Sequence, residues 1–247
     1  VIGQVVACCI AVYLITRIDG YLYVRFRHLF VIDLDIIKRM IKISLPAMIE
    51  QLIMRLGMFI YVSTVTSLGD KMFATHNIAS QILTFSYLNG QAFGISATSL
   101  LGRSLGEKKV THAKTYTYEC QRLSIIVSFV IAAVFILFGR TFMDLLTDDP
   151  EMIREGAKAL TIVAILQPMQ ASQLVLNGAL RGAGDTRTVA ILTFIGILIF
   201  RPLASFALVK YLGMGLMGAW IAMSCDQVFR SIFSYIRFKS EKWAEIK

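Results

Sequence analysis

The segment LNGALRGAGDTR, residues 176–187, joins two long apolar runs through a charged, glycine-rich corner. Arg181 suits the last turn of a helix, because a cation is stabilised at the negative end of the helix dipole. Gly182 and Gly184 suit the left-handed conformation that ends many helices, and Asp185 or Thr186 can cap the helix that follows. The segment therefore predicts a tight hairpin between two apolar helices.

The composition on both sides of this corner is that of a membrane protein. Hydrophobic residues make up 56% of the 247 residues and charged residues 17%, and the mean hydropathy is +0.67. A soluble chain of this length cannot bury so much apolar side chain, so we predict an all-α integral membrane protein in contact with lipid. The formal charge of +9 comes from basic residues in short gaps between apolar runs. Without a basic stripe and interleaved aromatics, it does not indicate nucleic-acid binding.

Apolar runs of about 20 residues, the length that crosses a bilayer, divide the chain. They lie near residues 45–68, 76–101, 119–139, 157–180, 188–209 and 214–236. We therefore predict four parts: the end of a further membrane helix at 1–16, an amphipathic cytoplasmic linker at 17–44, a six-helix bundle at 45–236 and a cytoplasmic tail at 237–247.

The basic residues predict the orientation of these helices. They are concentrated in 17–42, in 102–122, around the 176–187 corner and from Arg230 to the end of the chain, and they are sparse in the intervening gaps. By the positive-inside rule the basic gaps are cytoplasmic. The C-terminus is then expected in the cytoplasm of a multi-pass protein of the inner or plasma membrane.

Ionisable residues inside a membrane span are costly and are candidates for function. At about 100° per residue, one side of the first complete span carries Glu50, Gln51, Met54 and Met58, with Arg55 at its margin. Glu50 is the candidate for exchanging a proton or Na⁺, since desolvation raises a carboxyl pKa and a nearby cation lowers it. The alternatives are that Glu50 and Arg55 neutralise each other as a structural pair, or that Glu50 lies near the lipid headgroups.

Two further spans carry polar stripes that must face protein or water. One stripe contains Asn77, Gln81, Thr84, Tyr87 and Gln91, and the other contains Gln167, Gln170, Gln173, Asn177 and Arg181. They are expected either to line a substrate path or to make hydrogen bonds between helices.

Five other residues stand out within the spans. Pro46 and Pro168 open two of the spans in a similar way, and Arg201-Pro202 joins the candidate path because proline frees a carbonyl in a helix. Asp226 is expected to serve a structural partner. The cysteines and histidines fit no metal pattern, so we predict no metal, no cofactor apart from a coupling ion, and no enzymatic activity.

Short motifs in a fixed order carry a family resemblance across nearly the whole chain. They are LP and EQ within 45–51, SLGD at 67–70, ATHNI at 74–78, LGRSLG at 101–106, DDPE at 148–151, the corner at 178–187, RP at 201–202, and LGMG before AW within 212–220. In these motifs the chain resembles the C-terminal lobe of the multidrug and toxic compound extrusion (MATE) family.

The resemblance implies a transporter of twelve helices in two six-helix lobes, of which this chain supplies the end of the sixth helix and the seventh to the twelfth. It also implies alternating access, driven by Na⁺ or H⁺, with export of small amphiphilic and often cationic compounds. The N-terminal lobe of the same protein is then the partner of this one.

Two departures from the family pattern leave the position of the coupling acid open. In many relatives the acid of the seventh helix lies about a turn further past the proline than Glu50 does, and the tenth helix can carry an acid where this chain has amides. The coupling acid is therefore expected at Glu50 or in the N-terminal lobe. Rival classes are a related flippase for lipid-linked saccharides, with more cationic residues along its cavity, and a seven-helix receptor.

Overall fold

The computed structural model describes residues 2–16 and 33–245, and the chain divides into two units, Val1–Ser44 and Leu45–Lys247. The first unit holds α1 (Ile2–Thr16) and the beginning of α2 (Leu34–Thr66). Most of the predicted linker, residues 17–32, lies outside the described residues. The rest of that linker, from Leu34 onward, is helical.

The second unit is built from six long helical segments in the part of the chain that the structure describes. After α2 come α3 (Asp70–Gly106), α4 (Val110–Asp144) and α5 (Pro150–Gly182). The fifth segment, Thr186–Tyr211, joins α6 (Thr186–Thr193) and α7 (Arg201–Phe206) through the π-helical stretches Phe194–Phe200 and Ala207–Tyr211. The sixth is α8 (Gly215–Lys239), followed by a 3-10 turn, Lys242–Glu245. The predicted all-α six-helix bundle is confirmed.

Four of these segments are long and apolar enough to cross a membrane: Ser44–Thr66, Val110–Asp144, Pro150–Gly182 and Thr186–Tyr211. The helices α3 and α8, with 37 and 25 residues, are as long but more polar. Of the residues in the most apolar stretch of α5, 61% are buried, whereas the share is 17–39% in the corresponding stretches of the other three segments. The bundle is therefore organised around α5.

Two apolar cores leave a polar layer between them. On α5 the first core ends at Ala164 and the second begins at Val175. Gln167, Gln170 and Gln173 lie between the two and are buried. Because each core supplies the packing at its own end of the bundle, the middle can hold polar groups that a single continuous core would exclude.

The corner at 176–187 is a hairpin, as predicted, and Gly184 has its predicted role, but Gly182 does not. Gly184 has φ +84°, and the N–H of Asp185 donates to the carbonyl of Leu180 at 2.9 Å, so Gly184 is the left-handed residue that ends α5. Gly182 is still helical; a Cβ there would lie 2.5 Å from the carbonyl oxygen of Thr98. Gly182 is therefore required by close helix packing and not by backbone conformation.

Asp185 occupies the N-cap position of α6, but the prediction that its side chain caps the helix is wrong. It makes no hydrogen bond to the backbone of the first turn. Its carboxylate accepts from the Thr188 hydroxyl and from Nε of Arg237, both at 2.6 Å. An arginine from α8 is a stronger partner for the carboxylate than a backbone amide, so Asp185 ties the corner to α8.

At its other end, α5 begins where the sequence DDPE predicts. The Asp149 carboxylate accepts from the backbone N–H groups of Glu151 and Met152, at 2.9 and 3.3 Å, and Pro150 is the first helical residue. Lys71 of α3 donates to both Asp149 and Glu151, at 2.9 and 2.7 Å. The hydrogen bond from Lys71 holds the pKa of Asp149 below its ordinary value.

The crossing of α3 and α5 depends on residues without side chains. A Cβ on Gly178 would lie 2.2 Å from the carbonyl oxygen of Gly94, and the Thr98 hydroxyl donates to the carbonyl of Gly178 at 2.8 Å. Small residues let helices in a membrane approach closely enough for such backbone contacts.

Replacing Gly178 by Ala is therefore expected to lower the free energy of unfolding by about 1–3 kcal/mol, because backbone must move to admit the methyl group. Gly106→Ala is the matched control, since a Cβ at Gly106, the last residue of α3, meets no atom within 4 Å. Unfolding of the purified protein in mixed detergent micelles would measure both. Equal stability of the two variants would contradict the tight crossing.

Candidate functional site

Two cavities of about 420 and 280 Å³ lie within the second unit. The larger is lined by nine of the residues predicted from the sequence: Gln51, Met54, Arg55, Met58, Thr84, Tyr87, Gln91, Gln170 and Arg201. The smaller is lined by Glu50, Gln51, Met54, Tyr87, Gln91, Gln173, Asn177 and Arg181. The structure thus brings the three stripes together, whereas Asn77, Gln81 and Gln167 line neither cavity. Their role in substrate passage stays a prediction.

Glu50 is the buried acid of the smaller cavity. It is 2% exposed, and its Oε1 accepts a hydrogen bond from Nη2 of Arg181 and another from the Thr193 hydroxyl at 3.3 Å. The three residues come from α2, α5 and α6. The carboxylate therefore connects three helices at one wall of the cavity.

The alternative that Glu50 pairs with Arg55 is wrong. Arg55 lies on an exposed part of α2 and lines the larger cavity. Five residues of α-helix turn it about 140° away from Glu50. No carboxylate among the described residues pairs with Arg55.

Arg181 pairs with Glu50, a role that its position in the corner did not indicate. The sequence indicates an orientation signal and a helix-end cation, but the guanidinium binds Glu50 and its side chain is 39% exposed. Arg181 lies four residues after Asn177 on the same helix and lines the same cavity. The spacing of four residues from Asn177 puts Arg181 on the polar face of the helix, and this spacing is the feature of the sequence that indicates a position at the cavity.

Asp226 holds two arginines in the protein interior. Its carboxylate accepts from Nε and Nη2 of Arg201 at 3.1 and 2.6 Å, and from Nε and Nη2 of Arg230 at 2.9 Å each. The three side chains are 0%, 8% and 4% exposed. The prediction of a structural partner for Asp226 is confirmed.

Arg230 is, with Thr193, a site residue that sequence reasoning missed, because it reads as one of the basic residues near the end of the chain. It lines both cavities. Its spacing of four residues from Asp226 is the feature of the sequence that indicates a pair between them, since residues i and i+4 share a helix face.

The amide side chains divide into two groups. The Oδ1 atom of Asn177 accepts from the Ser234 hydroxyl at 2.7 Å, which is a hydrogen bond between α5 and α8. The Oε1 atoms of Gln167, Gln170 and Gln173 are buried without a hydrogen-bond partner among the described residues. Buried polar atoms normally have a protein or water partner, so these glutamines favour a hydrated interior and Asn177 favours interhelical bonding.

The three predicted prolines lie within helical segments. Pro46 is inside α2 and Pro168 is inside α5. Pro202 is in the first turn of α7, between the two π-helical stretches. Proline removes one backbone donor and π-helical turns shift the hydrogen-bond register, so the Thr186–Tyr211 segment has an irregular backbone beside Arg201.

Together, the long apolar helices, the polar middle layer and the two cavities define a polytopic α-helical membrane protein with an internal charged site. A family model described as MatE matches residues 46–206. The chain belongs to the MatE family.

Curated relatives agree with this assignment. A protein named "Probable multidrug resistance protein NorM" from Thermotoga maritima is 29% identical over 206 residues, which are 83% of this chain and 44% of the relative. The "Multidrug resistance protein MdtK" of Yersinia pseudotuberculosis is 24% identical over 84% of this chain and 46% of its own length. The chain thus spans about half the length of the curated relatives it matches.

Solved structures share the fold. One, described as an outward-facing conformation of a multidrug resistance MATE family transporter of the MOP superfamily, has a TM-score of 0.86 at 20% identity and matches 98% of this chain and 55% of that one. Another, a MOP superfamily transporter from Pyrococcus furiosus described as having a binding pocket of reverse polarity, has a TM-score of 0.87 at 20% identity, over 99% of this chain and 55% of that one. The chain has the fold of the C-terminal lobe of MATE transporters.

Proposed function

We propose that this chain forms the C-terminal lobe of an ion-coupled antiporter that exports small amphiphilic compounds by alternating access. Na⁺ or H⁺ is the coupling ion, and an N-terminal lobe of the same protein completes the transport path. The protein acts in the inner or plasma membrane with its C-terminus in the cytoplasm. The multidrug-resistance names of the relatives support export, and the resemblance adds that the compounds are often cationic.

The observation that carries the proposal is the position of Glu50 at the smaller cavity. Its carboxylate is buried and hydrogen-bonded to Arg181 and Thr193. A proton or Na⁺ that binds Glu50 competes with Arg181, because the carboxylate cannot hold a full positive charge from both. Occupation by the ion therefore weakens the contact between α2 and α5.

This competition is a means of coupling. An ion can change a conformational equilibrium only by binding one state better than the other. The Glu50–Arg181 contact provides such a difference: the state that keeps the ion pair excludes the ion, and the state that breaks it admits the ion. Arg181 is part of a helix that packs at the centre of the bundle, so the difference reaches several neighbouring helices.

The test uses the full-length protein in proteoliposomes loaded with a fluorescent dye. Na⁺ and H⁺ gradients are imposed separately, and dye efflux is expected with one or both and absent when the gradients are collapsed. Efflux that is unaffected by either gradient would contradict ion coupling.

A flippase for lipid-linked saccharides is the second candidate, favoured by one observation. Arg230 joins Arg55 and Arg201 at the larger cavity, which is more cationic than the sequence indicated. Translocation of a lipid-linked saccharide by the reconstituted protein without any ion gradient would favour this candidate.

A further inference from the structure

The larger cavity is lined by positive charge without a matching negative charge. Arg55, Arg201 and Arg230 line it, and none of the described residues that line it is an aspartate or glutamate. Asp226 lies behind two of the arginines and is fully buried. One carboxylate shared by two guanidinium groups leaves one positive charge uncompensated.

Arg55 adds a second uncompensated charge. It is exposed on α2, and no hydrogen bond or ion pair is made by its side chain to any described residue. The smaller cavity differs, because its acid Glu50 is matched by Arg181. The two cavities therefore differ in electrostatic character: Glu50 lies in the wall of the smaller one beside Arg181 and Arg230, whereas the larger one is lined by three arginines and by no described carboxylate.

The wall of the larger cavity also contains an enclosed donor without a partner. Trp220 lines this cavity and is 0% exposed, yet its indole Nε1–H has no hydrogen-bond partner among the described residues. An indole N–H can only donate. A ligand oxygen can accept from it only if the wall around the indole moves, because the Nε1 atom has almost no accessible surface.

The apolar lining and the volume of the cavity indicate what kind of ligand fits it. Met58, Leu83 and Met223 contribute apolar surface to the cavity. The volume of about 420 Å³ lies within the range of sites for drug-sized molecules. Methionine side chains adapt to different apolar shapes. The cavity thus fits an apolar body that carries a single anionic group.

We propose that the larger cavity binds amphiphilic organic anions, in which a carboxylate, sulfonate or phosphate is attached to an apolar body. The acidic group pairs with Arg55 and with the uncompensated charge of the Arg201–Asp226–Arg230 cluster, and the apolar body packs against the methionines. The inference rests on the proposed function, since it names the substrate class of that exporter. It narrows the amphiphilic compounds of the proposed function to anions, in place of the cations that the resemblance implies.

Binding of two matched fluorescent probes tests the substrate class. Pyrenebutyrate and pyrenebutyl-trimethylammonium share an apolar ring and differ in the sign of the charge. With the full-length protein in nanodiscs of phosphatidylcholine, we expect pyrenebutyrate to bind at least tenfold more tightly. A cation preference, or equal binding of both probes, would overturn the inference.

Substitution of Arg55 locates the effect in the cavity. Arg55→Gln is expected to weaken binding of pyrenebutyrate about tenfold, and Arg55→Glu to reverse the preference between the probes, since the side chain has no structural partner to lose. Arg140→Gln is the matched control, because Arg140 is exposed at the end of α4, has no ion pair among the described residues and lines neither cavity. Equal losses in the Arg55 and Arg140 variants would place the probe outside the cavity and overturn the inference.

Two additional arms separate the remaining outcomes. Nanodiscs that also contain phosphatidylglycerol distinguish a soluble anion from a lipid headgroup. A loss of pyrenebutyrate binding larger than the loss of its partitioning into protein-free nanodiscs of the same lipids would identify the lipid as the anion that occupies the cavity, and equal losses support a soluble ligand. If ion-driven efflux occurs but neither probe binds, the inference fails and the proposed function stands. If pyrenebutyrate binds and no ion gradient drives efflux, the proposed function fails and the anion site stands.

Discussion

Replacing Glu50 by Gln in the full-length protein is expected to abolish ion-driven efflux while expression stays normal. Glutamine keeps the size of the side chain and can still accept from Arg181 and Thr193, whose hydrogen bonds to the carboxylate are the observed contacts. It cannot take up a proton or bind Na⁺ with a formal negative charge. The helices therefore stay packed while the exchange of ion for arginine is lost.

The measurement is the rate of dye efflux from proteoliposomes under an imposed ion gradient. Glu119→Gln is the matched control, because Glu119 is an exposed glutamate on α4 that lines neither cavity. Thr193→Val removes the neutral donor and leaves the charge of Glu50, so it is expected to slow efflux without abolishing it. Full efflux in the Glu50 variant would show that the coupling acid lies elsewhere, as in the N-terminal lobe.

Replacing Asp226 by Asn is expected to cause the largest loss of stability, about 3–5 kcal/mol. The substitution leaves Arg201 and Arg230 buried together without a counter-charge, and both are less than a tenth exposed. Breaking a buried pair in this way leaves an uncompensated charge in a medium that solvates it poorly. Denaturation in mixed detergent micelles, followed by circular dichroism, measures the change.

Two comparisons make this prediction specific to the cluster. Arg201→Gln is expected to lower the free energy of unfolding by less than Asp226→Asn does, because Arg230 still pairs with Asp226. Asp148→Asn, at an exposed aspartate before α5, is expected to change the free energy of unfolding by no more than about 0.5 kcal/mol. Equal stability of the Asp226 and Asp148 variants would contradict the role of the buried carboxylate.

Much of the fold follows from local patterns in the sequence. The apolar runs predicted the helical segments of the bundle, and the residues DDPE predicted the beginning of α5, where Pro150 is the first helical residue. The glycine-rich corner predicted the hairpin after α5, and Gly184 has the expected positive φ. These features depend on residues a few positions apart, whose backbone preferences act in any tertiary context.

The polar stripes were also readable, because helical periodicity places their residues on one face. Gln170 and Gln173 accordingly line the two cavities. The periodicity could not show whether a polar residue lines a cavity or makes a hydrogen bond to another helix. Asn177, on the same stripe, does both. That distinction depends on the residue that a neighbouring helix presents, which in this case is Ser234 of α8.

The sequence by itself determined that the chain is a membrane bundle, which helix faces carry polar residues and which family it resembles, because the high cost of polar groups in a bilayer restricts where each residue can lie. Only the tertiary structure decided which charges meet. Glu50 and Arg181 are 131 residues apart, and Arg201 and Asp226 are 25 apart. Such pairs form when helices pack at a particular rotation and depth, and no local pattern encodes that geometry. The same packing leaves the larger cavity with more positive than negative charge.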